Sequence, residues 1–194
     1  MAKKSTRNTR GRIVSAAWKL FYEQGYEDTT VEEIIELSGT SKGSFYHYFD
    51  GKDALLSTLS SLFDEKYEEL TGLLTPEMTA MEQLLFLNRE LFHMIEDSIS
   101  LDLLARLYST QLTTNGEKHL LDQNRIYYKL LRKIIAKGQA EGQLSSRSNV
   151  NEMVKLYALC ERALLYDWCL CAGEYALTEY SAKVLPGFLS SFLP

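Results

Sequence analysis

The chain has little of what catalysis, export or membrane insertion require. Three cysteines (Cys160, Cys169, Cys171), three histidines and three prolines (Pro76, Pro186, Pro194) stand among 194 residues. An odd, low cysteine count fits a reducing compartment rather than a disulfide framework. At about 100° per residue on a helix, Cys169 points away from the other two, and Cys160 and Cys171, though in phase, stand three turns or roughly 16 Å apart, so core packing is expected of them. The pattern G-x-S-x-G occurs once, at Gly39–Gly43, between two expected helices and not on the strand-to-helix turn of a nucleophile elbow, and no phosphate-cradling G-x-x-x-x-G-K occurs. No apolar run reaches the ~18 residues of a membrane span. The basic N-terminus has no apolar segment behind it, so no signal peptide is expected and a cytoplasmic protein is.

Charge of one sign is missing too, until it is mapped. The net charge is −5. Lys3, Lys4, Arg7, Arg10 and Arg12 crowd the first twelve residues with no acid among them. Residues 51–194 carry 14 Lys/Arg against 19 Asp/Glu, so the whole negative excess lies there. A basic end on an acidic body suggests a localised anionic partner, or else a solvated terminus.

Strand alternation is nearly absent and few prolines interrupt the chain, while helical stripes recur throughout. Hydrophobic residues make up 45% and charged residues 24%, ordinary for a globular protein with a sizeable core. Ile13, Ala16, Ala17, Leu20 and Phe21 form the first stripe, with Gly25 as its stop. Thr30 and Glu33 have capping-box spacing ahead of Val31, Ile34, Ile35 and Ser38. Gly39 ends that helix, and Thr40 or Ser41 caps a third, reaching to about Phe49. Three short helices with a tight Gly-containing link between the last two make the helix-turn-helix pattern. Beyond it, longer helices are expected at about 52–74, 76–97, 101–113, 117–141, 149–172 and 177–192, with a loop at Gly142–Ser148. The fold class is therefore all-α, with about nine helices: a flexible basic arm (1–8), a helix-turn-helix unit (9–51) and a larger bundle (52–194).

The third helix can be read face by face. Phe45 and Phe49 fall on one side of the wheel, with Tyr48 at its edge. Gly43, Ser44, Tyr46 and His47 fall on the other, with Lys42 before them and Lys52 beyond. The first set is expected to be core. The second suits a nucleic acid: small residues let a backbone approach closely, and Tyr, Ser and Lys bind phosphates and base edges.

The stretch "TRGRIVSAAWKLFYEQGYEDTTVEEIIELSGTSKGSFYHYFDGKDAL" (9–55) resembles the tetracycline-repressor (TetR) family of bacterial transcription regulators. Its most specific pieces are "FYEQGYEDTTVEEI", "SGTSKGSFYHYF" and "GKDAL". The resemblance covers a quarter of the chain. It implies a homodimer whose two helix-turn-helix units enter successive major grooves of operator DNA, and a C-terminal domain that binds a small-molecule effector, most often to release a repressor. By position it implies DNA contacts at Thr40, Lys42, Gly43, Ser44, Tyr46, His47, Tyr48 and Lys52, and at Thr30 as a cap that also faces phosphate. It calls for no cofactor and no catalysis.

The body offers broader expectations. Phe86, Phe92, Tyr108, Tyr127, Tyr128 and Tyr157 suit the walls of a cavity for an apolar or amphipathic ligand, and equally suit ordinary core. Arg89, His93 and Arg106 are polar residues that could face that cavity. The helix at 149–172 is apolar nearly all round, so it needs burial on several sides. Leu156, Leu159, Cys160, Ala163 and Leu164 are expected at a dimer interface, with Val184 and Phe188 of the last helix. The alternative is the central helix of a monomeric bundle. Pro186 is expected to bend or end the last helix. A competing reading is a small-molecule binding protein that does not bind DNA, or a di-metal carboxylate enzyme, whose bundle needs two Glu-x-x-His pairs. Glu90–His93 is one such pair, and no second is present.

Overall fold

The computed structural model describes residues 2–113 and 118–194, with side chains from Thr9 onward. The side chains of the expected basic arm (1–8), and residue 117, where one helix was expected to begin, lie outside this description. Among the described residues the chain is all-α. The α-helices are α1 (Ala2–Gln24), α2 (Val31–Ser38), α3 (Lys42–Tyr48), α4 (Lys52–Leu56), α5 (Leu59–Thr71), α6 (Ala80–Ser98), α7 (Leu101–Thr113), α8 (Ile126–Ala140), α9 (Val150–Leu170) and α10 (Leu177–Leu189). Short 3₁₀ turns lie at His119–Leu121 and Ser190–Phe192.

Helix starts follow local chemistry. Thr30, Thr79 and Asn149 each accept from the backbone N–H three residues on, while Glu33, Glu82 and Glu152 reach back to the cap, so α2, α6 and α9 all begin with capping boxes. The start of α10 has no such local cap. Glu96 of α6 supplies it instead, accepting from the backbone N–H groups of Leu177 (2.5 Å) and Thr178 (3.0 Å).

Two expected helices are interrupted. The segment 52–74 divides into α4 and α5 at Ser57–Thr58. Three closely spaced hydroxyls compete with the helical ladder there: Ser57, Thr58 and Ser60 donate to the carbonyls of Ala54, Leu55 and Ser57 at 2.7, 2.6 and 2.6 Å. Trp18 of α1 then donates to Thr58 Oγ1 at 2.8 Å, tying the joint to the first helix. The segment 117–141 starts its α-helix only at Ile126. Ahead of it Asp122 accepts from Asn124 N at 2.8 Å, a side-chain turn that diverts the backbone. Conversely, α10 continues through Pro186 to Leu189. The carbonyl that the proline leaves without a helical partner, on Ala182, belongs to an exposed residue, where water can serve it.

The three N-terminal helices pack on each other around Ile13, Ala17, Phe21, Ile34, Phe45 and Phe49, all 4% exposed or less. In the body, α6 packs against α5, α8 and α10, and α9 packs against α7, α8 and α10. Cys160 is buried in this core, and Cys169 and Cys171 are half-buried. No described helix is long and apolar enough to cross a membrane.

The crossing of α8 over α6 depends on Gly138. A Cβ there would lie 2.5 Å from Ala80 Cβ and 2.9 Å from Leu144 Cδ1. Helix propensity alone favours Gly138→Ala by up to ~1 kcal/mol, but overpacking of this kind costs roughly 1–3 kcal/mol. The variant is therefore expected to unfold at lower urea concentration than the parent. An unchanged or higher midpoint would show that the crossing is not limited by contact.

Candidate nucleic-acid interface and ligand cavity

α3 has seven residues, too few to persist as an isolated helix. Phe45 (0% exposed) and Phe49 (4%) anchor it, their ring centroids 5.9 Å apart. The turn before it is fixed from both ends. Gly39 takes φ = 59°, where an L-residue would be strained, and closes α2 through its N–H to Glu36 O. The Arg12 guanidinium donates from Nε to Ser38 O at 2.9 Å, and from Nη2 to the carbonyls of Ser38 and Gly39. One of the five N-terminal basic residues is thus committed to holding the turn. Ser41 caps α3, accepting from Ser44 N at 3.1 Å.

The opposite face is open. Lys42, Gly43, Tyr46 and His47 are exposed, and Ser44 and Tyr48 are half-buried. Phe45 and Tyr46 meet edge to face, as do His47 and Tyr48. Lys42 Nζ lies 3.6 Å from Glu32 Oε1, with both side chains about 70% exposed. A pair that exposed is worth little and exchanges readily for another anion. Thr40 is half-buried, its hydroxyl 2.8 Å from that of Ser38. Thr30 is exposed, and its hydrogen bonds, from the backbone N–H first, hold the Glu33 carboxyl below its ordinary pKa.

Lys52 has a different place from the one expected. Its ammonium donates to the carbonyls of Tyr26 (2.6 Å), Glu27 (3.2 Å) and Thr29 (2.8 Å) and sits 4.3 Å from the Tyr26 ring centroid. With three donors and three acceptors, it holds the α1–α2 turn rather than a partner.

Arg106 belongs to the same junction and not to a cavity. Its guanidinium lies 4.9 Å from the Tyr26 ring centroid, pairs with Glu27, and bonds Asp102 at 2.9 Å. Tyr26 also donates to Asp53. The ring thus touches Lys52 of α4 and Arg106 of α7, linking the N-terminal helices to the body. Arg106 misses the cavity because Tyr108, two residues on and about 200° round the helix, is the residue that faces it.

That cavity, of about 50 Å³, lies between α5, α6, α7, α8 and α9. Phe63, Tyr67, Leu91, Phe92, Tyr108 and Tyr127 supply most of its wall, and Leu120 and Leu165 complete the apolar part. The polar lining is Arg125, Glu161 and Arg162. Phe92, Tyr108 and Tyr127 are therefore where the sequence places them. Tyr157 lies beneath, fully buried, donating to Leu84 O at 2.8 Å. Tyr128 is beside the cavity, donating to Leu120 O and accepting from Arg162. Phe86 and Arg89 line a surface groove between α6 and α10, with Arg89 on Glu90 and over the Phe86 ring. His93 faces solvent, 3.5 Å from Asp97, because the buried face of α6 runs through Leu84, Leu87, Asn88, Leu91, Phe92 and Ile95. Among the described residues no group of three or more His, Cys, Asp or Glu is gathered as a metal would need.

Sequence reasoning missed Glu161. It is 4% exposed and accepts from Asn88 Nδ2 at 2.9 Å and from Tyr127 OH at 2.6 Å, while Ser181 donates to Asn88 Oδ1. Burial pushes its carboxyl pKa up, against the pull of these hydrogen bonds. This network joins α6, α8, α9 and α10. A signal was present: Glu161 stands at i+4 from Tyr157 and i−7 from Trp168, in phase with the buried side of an apolar helix.

On α9 the expected interface stripe divides. Cys160 (9% exposed) and Leu164 (5%) face the protein's own core, in phase with Tyr157 and Glu161. Leu156 (39%) and Leu159 (52%) are exposed, with Ala163 and, further along, Tyr166 (45%) and Leu170 (66%). On α10 Tyr180 is exposed, and Val184 and Phe188 are half-buried.

With this geometry in hand, likeness to known proteins can be weighed. The family model described as "Bacterial regulatory proteins, tetR family" matches residues 13–59, which are α1 to the start of α5. The transcriptional regulator TtgR of Pseudomonas putida is 34% identical over 68 residues, 35% of this chain and 32% of the relative. YvdT, an uncharacterized HTH-type transcriptional regulator of Bacillus subtilis, is 26% identical over 147 residues, 75% of each chain. The alignments to the first curated relatives span about a third of those proteins' length, 29% and 32% in two cases. Among solved structures, Thermus thermophilus FadR, a TetR-family transcriptional repressor in complex with lauroyl-CoA, superposes with a TM-score of 0.76 at 26% identity, over 95% of each chain. The fold, with a helix-turn-helix near its N-terminal end, is similar to that of bacterial helix-turn-helix transcription regulators. Over residues 13–59 the chain is similar to the TetR family, and its fold as a whole is like that of a TetR-family repressor.

Gly43 separates an internal from an external requirement. A Cβ there would meet only Ser41 Oγ, at 3.9 Å, and its φ is not positive. Nothing inside the chain requires a glycine. Gly43→Ala is expected to leave thermal stability equal or slightly higher, since Ala is the better helix former, and to weaken DNA binding by tenfold or more. A variant that loses stability, or that binds DNA as the parent does, would remove Gly43 from the interface.

Proposed function

We propose that the protein is a homodimeric, ligand-responsive DNA-binding transcription regulator, a repressor that a small molecule releases from its operator. In this reading residues 9–51 read DNA, and 52–194 hold the effector and the dimer contact. The observation that carries it is the two-sided third helix: Phe45 and Phe49 lock one face into the core, leaving Lys42, Gly43, Ser44, Tyr46 and His47 to enter a major groove, with Tyr48 at the boundary and Thr40 and Thr30 toward phosphate. The exposed apolar stripe of α9, from Leu156 to Leu170, with Tyr180 and Phe188 on α10, supports pairing with a second copy. Such a pair would set two reading helices about one helical turn apart, ~34–36 Å.

The cavity supports a ligand response. It is too small for a drug-sized molecule as it stands, so entry must displace a wall. α7 carries Tyr108 toward the cavity and Arg106 toward the α1–α2 turn. A ligand that moves α7 would therefore act on the reading head through Tyr26, by binding one arrangement of the two better than the other. The complex of Thermus thermophilus FadR with lauroyl-CoA supports a small-molecule ligand for a protein of this fold.

Two tests follow. Tyr46→Ala is expected to lower operator affinity by about 1–3 kcal/mol with the circular-dichroism melt unchanged, and Lys42→Ala to reduce the slope of log affinity against log salt by about 1. Parent-like affinity and slope in both variants would remove α3 as the reader. Arg106→Ala is expected to lower hydrogen-exchange protection in the α1–α2 turn while α8 and α9 stay as protected as before; equal protection in that turn would mean that Arg106 does not clamp it.

A further inference from the structure

We infer that the cavity takes an organic cation, an amine or quaternary ammonium on an apolar body, with Glu161 as its counter-charge. The inference deepens the ligand-responsive reading and rests on it. Glu161 is the buried acid of the cavity, 4% exposed. Its oxygens accept from a neutral amide and a neutral phenol, Asn88 and Tyr127. No Lys or Arg among the described residues lies within ion-pair distance of it. Arg125, also in the wall, is already matched: it forms a two-pronged pair with Asp64 at 3.1 and 3.0 Å and donates to Ser60 O at 2.9 Å. Arg162 donates to Tyr128 OH and is half-exposed, so solvent screens its charge as it does not screen that of Glu161.

Burial favours the neutral form of the Glu161 carboxyl, against its hydrogen bonds and the charge of the half-exposed Arg162; ionised, it has no buried counter-charge beside it, and a cationic ligand would supply one. The walls around it supply the second half of a cation site. Tyr67 and Tyr127 face each other at 5.0 Å between centroids, and Phe92 and Tyr108 complete an aromatic enclosure. Aromatic faces attract ammonium groups, and more so where water is excluded. A ligand anion would find no unmatched buried cation, since Arg125 is paired with Asp64 and Arg162 is half-exposed and bonded to Tyr128. An uncharged apolar ligand would exclude water from Glu161 and offer nothing in return. A cation on an apolar body satisfies both the carboxylate and the rings.

The test uses four probes: octyltrimethylammonium, octanoate and 1-octanol, matched in chain length and each kept below its micelle concentration, and lauroyl-CoA. Calorimetric titration of the full-length protein and of Glu161→Gln, with release of bound operator DNA followed by fluorescence anisotropy, reads the outcome. Octyltrimethylammonium is expected to bind the parent at least tenfold more tightly than any of the other three, and Glu161→Gln to reduce that preference at least tenfold. Tighter binding of octanoate, octanol or lauroyl-CoA overturns the cation assignment and leaves the regulator reading standing. So does failure of all four to bind a protein that still holds operator DNA. Undiminished ammonium binding by Glu161→Gln overturns the role of that residue. If the variant does not fold, the ranking of the four probes on the parent decides alone. Loss of operator binding by the unliganded parent would instead count against the proposed function itself.

Discussion

A helix of seven residues cannot hold its own shape in water, and the geometry of this protein follows from how that problem is met. Phe45 and Phe49 bury one side of α3 against α1 and α2. The other side is then presented in one orientation without contributing to the core. Around this anchoring, otherwise ordinary residues acquire fixed tasks. Gly39 turns the chain, Arg12 binds the carbonyls that α2 leaves open, and Lys52 does the same for the α1–α2 turn. Basic residues close to a candidate nucleic-acid interface divide accordingly. Some are bound to the protein's own backbone and stiffen the N-terminal helices, while Lys42, in an exposed pair with Glu32 and 6.0 Å from the Tyr46 ring centroid, is left to exchange partners.

The same economy extends into the body. α7 is shared between two environments, with Tyr108 on the cavity and Arg106 against Tyr26. Tyr26 in turn touches Lys52 and Asp53 of α4. A displacement of α7 cannot leave the α1–α2 turn unaffected unless these contacts break. On the far side of the cavity, Glu161, Asn88, Tyr127 and Ser181 bind four helices into one unit. The cavity therefore has one wall bound into four helices and one wall linked to the N-terminal helices, the asymmetry that the proposed ligand response requires.

What the sequence disclosed, and what it hid, divides along the range of the interactions. The capping box at Thr30, the stop at Gly39 and the two faces of α3 were legible because they depend on residues within a turn of each other. Helix existence was legible from periodicity, but continuity was not: the break between α4 and α5 comes from hydroxyls at Ser57, Thr58 and Ser60 together with Trp18, forty residues away. The start of α10 depends on Glu96, some eighty residues away. Lys52 and Arg106 were assigned to DNA and ligand because a cation in the right region looks available until its carbonyl, carboxylate or ring partners are in view. Cys160 and Leu164 were assigned to the dimer because an all-round apolar helix does not reveal which side is inward. Glu161, an acid in phase with that helix's large apolar residues, marked the inward side.

On the proposed reading, the outward face of α3 recognises a specific DNA sequence twice, in a symmetric dimer. In-vitro selection of the full-length protein from random duplexes tests it most directly. Enrichment of an inverted repeat is expected, with half-site centres one helical turn, about 10 base pairs, or a multiple of that, apart. Recovery of no common sequence at low salt by folded protein, or of a single unrepeated site, would contradict it.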